Sequence, residues 1–186
     1  MAQVDDVQRD GLKRYYFLRA GVSVAWIIAA VAVGAHDPLA AGVLLVAYPA
    51  WDALANALDA RANGGFRANG PQTFNLVVSL LVALAVLFAL QTDPRRVLTV
   101  FGVWAGFAGL LQLVAGVRRW RAVGAQWPMV LSGAQSILAG GVFVARSLGA
   151  GPHPPTALTI APYAGFGAFY FLVAGVALAL KGRRRT

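Results

Sequence analysis

Ala105-Gly106-Phe107-Ala108-Gly109-Leu110-Leu111-Gln112-Leu113-Val114-Ala115-Gly116-Val117 returns 59 positions later as Ala164-Gly165-Phe166-Gly167-Ala168-Phe169-Tyr170-Phe171-Leu172-Val173-Ala174-Gly175-Val176. Both copies lie in apolar runs long enough to cross a bilayer, and they agree chiefly at small residues and the aliphatics beside them. A unit repeated in that form is a membrane helix surface. It speaks to how helices pack and says little about what they carry.

The rest of the chain has the same solvent. With 59% hydrophobic and 12% charged residues it departs far from soluble usage. Six mostly uncharged runs stand out, at 16–34, 39–58, 73–92, 97–117, 127–145 and 158–180. Helices of about 20 residues, rising 1.5 Å each, match a hydrocarbon core of about 30 Å. The first run follows a polar stretch and is interrupted by Arg19, so it reads as a retained span rather than a cleaved leader. Links between runs are too short for a soluble domain. The expected fold is all-α, an integral membrane six-helix bundle.

The formal net charge of +9 could suggest nucleic acid, but its placement argues for a membrane. Arg9, Lys13 and Arg14 precede span one, Arg61 and Arg67 follow span two, Arg118, Arg119 and Arg121 follow span four, and Lys181, Arg183, Arg184 and Arg185 end the chain. The alternate loops hold only Arg95, Arg96 and Arg146. By the positive-inside rule both termini are expected in the cytoplasm, with no nucleic-acid partner. Absence of cysteine excludes disulfides, thiolate-held clusters and thiol catalysis.

Asp37-Pro38 and Asp93-Pro94 open spans two and four, 56 residues apart, each an Asp cap before a Pro at the first helical position. Offsets of 56 and 59 divide the chain into three parallel hairpin repeats, about 15–60, 71–117 and 125–180. They form one domain, 15–184, between a cytoplasmic N-terminal tail, 1–14, and a basic tail, 181–186. A small-residue stripe keeps the register: Gly102, Gly106, Gly109 and Gly116 in span four, and Gly165, Ala168 and Gly175 in span six. Steps of three and four hold one helix face, where small residues let backbones approach. Gly106 and Gly165 are expected to resist substitution.

Ionisable groups within a span cost about 2.5 to 3.5 kcal/mol at mid-membrane, so each needs a partner or a role. Arg19 lies about 6 Å into span one, and Asp52 about 9 Å from the same edge in span two. The depths match, so an Arg19–Asp52 pair is open. Asn56 follows Asp52 by one turn, Gln112 occupies the Asn56 position of the second repeat, and Asn75 takes the place of Arg19. Ser23, Ser79 and Gln135 hold equivalent repeat positions one turn deeper. Two readings stay open: interhelical hydrogen bonds, or a vestibule facing the cytoplasm. His36 and His153 fall in outer loops, where imidazole could sense external acid or simply be solvated. No metal-ligand cluster accompanies them, and no cofactor is expected. Trp51, Trp120, Trp127, Tyr15 and Tyr16 read as interfacial anchors, and Pro49 and Pro162 as kinks.

Several stretches resemble a known family: Leu18-Arg19-Ala20-Gly21, Trp51-Asp52, Val103-Trp104-Ala105-Gly106 through Val117-Arg118-Arg119, and 127–142 with Leu131-Ser132-Gly133. Together they resemble the HdeD-like proteins, small bacterial six-span membrane proteins named for an acid-resistance protein. This chain departs from the pattern after Asp52, where Ala53-Leu54 stand in place of a frequent Gly. The resemblance implies a bacterial inner-membrane protein of stress or acid tolerance, acting through packing, lipid contact, a homo-oligomer or a membrane-protein partner. Fourteen Arg to two Lys, with every acidic residue an Asp, fits a GC-rich bacterium. The competing reading is a small transporter or channel for protons or a polar solute. An enzyme is not expected, because no nucleophile, base and orienter can be assembled.

Overall fold

The computed structural model describes residues 2–149 and 154–183. It contains six long helices: α1 (Ala2–Ala29), α2 (Pro38–Ala62), α3 (Gly70–Thr92), α4 (Val97–Val123), α5 (Trp127–Leu148) and α6 (Ala157–Arg183). No strand occurs among the described residues. A π-helical turn, Ala30–Gly34, continues α1, and a 3-10 turn, Pro94–Arg96, precedes α4. The two Asp-Pro starts behave as caps: the Asp37 carboxylate accepts from the Leu39 amide at 2.8 Å, and that of Asp93 from the Arg95 amide at 3.3 Å. Stretches of all six helices are long and apolar enough to cross a membrane.

Each helix touches the next and α6 returns to α1, which closes a ring. The closest packing is α4 with α5, then α2 with α3 and α1 with α6. Each of these pairs joins helices from different sequence hairpins rather than the two helices within one. Alternation of direction puts the start of α1, the end of α6 and the α2–α3 and α4–α5 turns at one end, hereafter the terminal end.

Glycine explains the tightest pair. A Cβ added to Gly102 would lie 2.9 Å from the Gly140 carbonyl oxygen, and one on Gly109 would lie 2.6 Å from that of Gly133. The converse approaches, Gly133 to the Gly109 oxygen and Gly140 to the Gly102 oxygen, are 2.7 and 2.6 Å. Two backbones therefore meet with no side chain between them, an approach that only glycine allows. The rest of the stripe differs from expectation. An added Cβ would meet nothing within 4 Å at Gly106, and at Gly165 only the tip of Ile27 at 3.9 Å. Gly116 faces Val130 at 3.3 Å, Gly175 lies against the Phe17 ring at 3.2 Å, and Ala168 is buried. Spacing along the sequence shows which residues are small, but helix rotation decides which of them touch.

Two apolar clusters fill the ring. The larger, away from the terminal end, centres on Trp26, Leu45, Tyr48, Phe101, Trp104, Phe143 and Ile160. The smaller, near the terminal end, holds Leu12, Tyr16, Met129, Phe171 and Leu178. Pro49 is buried within α2, and Pro162 is exposed within α6. Large aliphatic and aromatic side chains cover the outside: Leu39, Leu84, Phe88 and Leu138 are among the most exposed.

Candidate functional site

Between the two clusters lies a polar centre built around Asp52. The spacing of four that groups Arg19 with Ser23, Asp52 with Asn56 and Asn75 with Ser79 turns each pair to one helix face. Ring packing then aims these faces inward. The Asp52 carboxylate is paired with the Arg19 guanidinium, and their side chains are only 8% and 15% exposed. Its other oxygen accepts from Asn56 Nδ2 at 3.0 Å, Asn75 Nδ2 at 2.9 Å and Ser79 Oγ at 2.8 Å. Ser79 in turn accepts from Trp104 Nε1 at 3.0 Å. One carboxylate thus ties together α1, α2 and α3 directly, and α4 through a hydroxyl.

Arg19 is held on its other sides as well. It donates to the Tyr15 hydroxyl at 3.1 Å, and its guanidinium lies 4.4 Å from the centre of the Phe171 ring of α6. Charge-assisted hydrogen bonds and a cation–π contact offset the cost of drawing the guanidinium out of water.

A second ion pair sits two helical turns away on α2. Asp59 pairs with Arg119 of α4 and accepts from Asn63 Nδ2 at 2.9 Å. Seven residues after Asp52, Asp59 lies on the same face of α2, and Arg119, which the sequence groups with the charges that follow span four, lies within α4. The anchoring residues also differ from expectation. Tyr16 is 2% exposed and donates to Gln126 Oε1 at 2.7 Å, Tyr15 is occupied by Arg19, and Trp51 is turned partly inward. Trp120 and Trp127 remain exposed. A hydrogen-bonding partner inside the bundle outcompetes the interface for a tyrosine that can reach one.

These groups line a cavity of about 440 Å³. Arg19, Asp52, Asn56, Asn75, Gln112 and Gln135 stand in its wall, with Asp59 and Arg119 towards the terminal end. The Gln112 amide reaches only the Met129 sulfur, at 3.8 Å. Ser79 lies behind the wall, and Ser23 is buried beside Tyr48. Ser136 and the Tyr163 hydroxyl, 2.6 Å apart, link α5 to α6. A vestibule facing the cytoplasm would open at the terminal end. Wall residues at the terminal end are buried or half-buried, with the Asp59–Arg119 pair among them. His36 is exposed in the α1–α2 connection, at the end of the bundle opposite the terminal end, and His153 lies outside the described residues.

No protein-family model, curated protein or solved structure matches the chain.

Proposed function

We propose that the chain is a multi-pass protein of a bacterial inner membrane, with both termini in the cytoplasm, that supports stress or acid tolerance without catalysing a reaction. Its distribution of polarity supports insertion. Aliphatic side chains face outward while Asp52, Asp59, Asn56, Asn75, Gln72 and Gln126 are buried, the reverse of a soluble bundle. The loop asymmetry of Arg and Lys supports the orientation. The stress role rests on the resemblance to HdeD-like proteins.

The observation that carries the non-catalytic reading is the Asp52 centre. Both carboxylate oxygens are occupied by cationic, amide or hydroxyl donors from three helices, the arrangement of a lock on helix register. The test is complementation: a strain lacking the gene, supplied with the wild-type chain, should regain survival after acid challenge. Equal survival with and without the gene would contradict the role.

A second reading, handling of a solute or proton, is favoured by the cavity beside the same pair. It would gain if Asp52→Asn retained wild-type stability yet abolished acid survival, making Asp52 the working group rather than a lock.

A further inference from the structure

The cavity beside Asp52 has a second half that the ion pairs do not explain. It continues along the seam between α5 and α6, one of the looser contacts in the ring. Exposure of the wall locates the opening. Asp59, Gln72 and Met129 close the terminal end, each buried. The exposed wall residues are Leu138, Val142 and Arg146 of α5 and Pro162 and Phe166 of α6. All of them flank the seam, and Leu138 is 71% exposed. The space therefore opens sideways through a mainly apolar slot, where the bundle would meet lipid rather than water.

The inner end has different chemistry. Arg19 Nε, Trp51 Nε1 and Asn75 Oδ1 are buried without a hydrogen-bond partner, and all three residues stand in the wall. Asn75 is only 7% exposed. Two orphan donors and one orphan acceptor suit a guest that offers an acceptor and a donor together. Charge in this part of the wall is balanced, Arg19 against Asp52 and Arg119 against Asp59. An ionised head would lose hydration there without a net opposite charge to meet it. Aromatic rings of Tyr48, Trp104, Tyr163 and Phe171 supply apolar surface beside these polar groups.

We propose that the cavity binds a single-chain amphiphile with an uncharged head bearing hydroxyl or carbonyl groups, admitted from the bilayer through the α5–α6 seam. The head lies against Arg19, Trp51 and Asn75, and the chain leaves past Ala139, Val142 and Phe166. A volume of 440 Å³ falls within the range of about 300 to 1,000 Å³ common for small-molecule sites. The inference rests on the reading of the chain as membrane-inserted, and it replaces an aqueous solute by a lipid-soluble one.

The test uses the full chain in nanodiscs of synthetic phosphatidylcholine, with 1-monooleoylglycerol as probe, read by native mass spectrometry and by thermal unfolding. One equivalent should bind, and Tm should rise with probe concentration. Trp51→Phe should weaken binding about five- to tenfold, the worth of one hydrogen bond. Val142→Trp, at an exposed rim position chosen so that folding is preserved, should narrow the slot and weaken it also. Failure of the folded protein to bind, equal stabilisation by glycerol without the chain, or unchanged affinity in both variants would each overturn the proposal. If alkaline carbonate strips the protein from native membranes, the membrane reading itself fails. Retention without probe binding defeats only the amphiphile.

Discussion

Cutting the Arg19–Asp52 pair from either side should have unequal consequences, because the two groups have unequal reserves. Asp52→Asn leaves a guanidinium whose side chain is 15% exposed without its counter-charge, held by neutral partners alone: an amide oxygen at position 52, the Tyr15 hydroxyl and the Phe171 ring. Breaking a buried pair in this way costs about 3 to 5 kcal/mol. Arg19→Met leaves Asp52 with three neutral donors, Asn56, Asn75 and Ser79. The loss there should be nearer 2 to 3 kcal/mol, about the worth of one hydrogen bond to a charged group. The double variant removes both charges together, so it should cost about 3 to 5 kcal/mol rather than the sum of its parts, a coupling of about 2 to 3 kcal/mol. Reversible unfolding in mixed detergent and dodecyl sulfate micelles, followed by circular dichroism, measures all four proteins. Additivity to within about 0.5 kcal/mol would refute the contact. So would a greater loss from Arg19→Met than from Asp52→Asn, since it would mean that the three neutral donors do not hold the carboxylate.

Glycine positions provide a sharper packing test: Gly109→Ala and Gly140→Ala should each destabilise by about 1 to 3 kcal/mol, because the added carbon meets a backbone oxygen 2.6 Å away. Gly106→Ala and Gly165→Ala, where the space is open, should be neutral or stabilise by up to about 1 kcal/mol in the same unfolding assay. Trp104→Phe should cost about 1 kcal/mol or more by removing the donor to Ser79, with Ser79→Ala abolishing the difference between Trp and Phe in a double-mutant cycle. A reporter active only in the periplasm, fused after Thr186, should remain dark, and a bright fusion would reverse the orientation.

Much of the polar centre is legible in the sequence. Arg19, Asp52, Asn56, Asn75 and Ser79 were linked by two kinds of arithmetic, steps of four along a helix and an offset of 56 between repeats. Both are periodicities, which a sequence carries directly. What escaped was everything set by helix rotation and choice of partner. Gly133 and Gly140 follow no small-residue stripe shared with spans four and six, yet they make the closest backbone approach. Trp104 looked like one more apolar residue in its run, and only the proximity of Ser79 makes its indole nitrogen a donor to the Asp52 centre. Arg119 belonged to a basic cluster whose neighbours, Arg118 and Arg121, are exposed, so charge counting hid its pairing with Asp59. The lateral opening had no signal at all, since it depends on how loosely α5 packs against α6.

The most direct test of a polar centre that meets lipid rather than cytoplasm uses the natural absence of cysteine, which allows single spin labels in an otherwise unmodified chain. Labels at Leu138, Val142, Phe166 and Gln112 in reconstituted bilayers would be challenged with oxygen, which concentrates in lipid, and with a water-soluble nickel chelate. Strong relaxation by oxygen at positions 138, 142 and 166, with the chelate excluded from all four, is the expected result. Ready access of the chelate to Gln112 would instead make the cavity an aqueous vestibule and contradict the account.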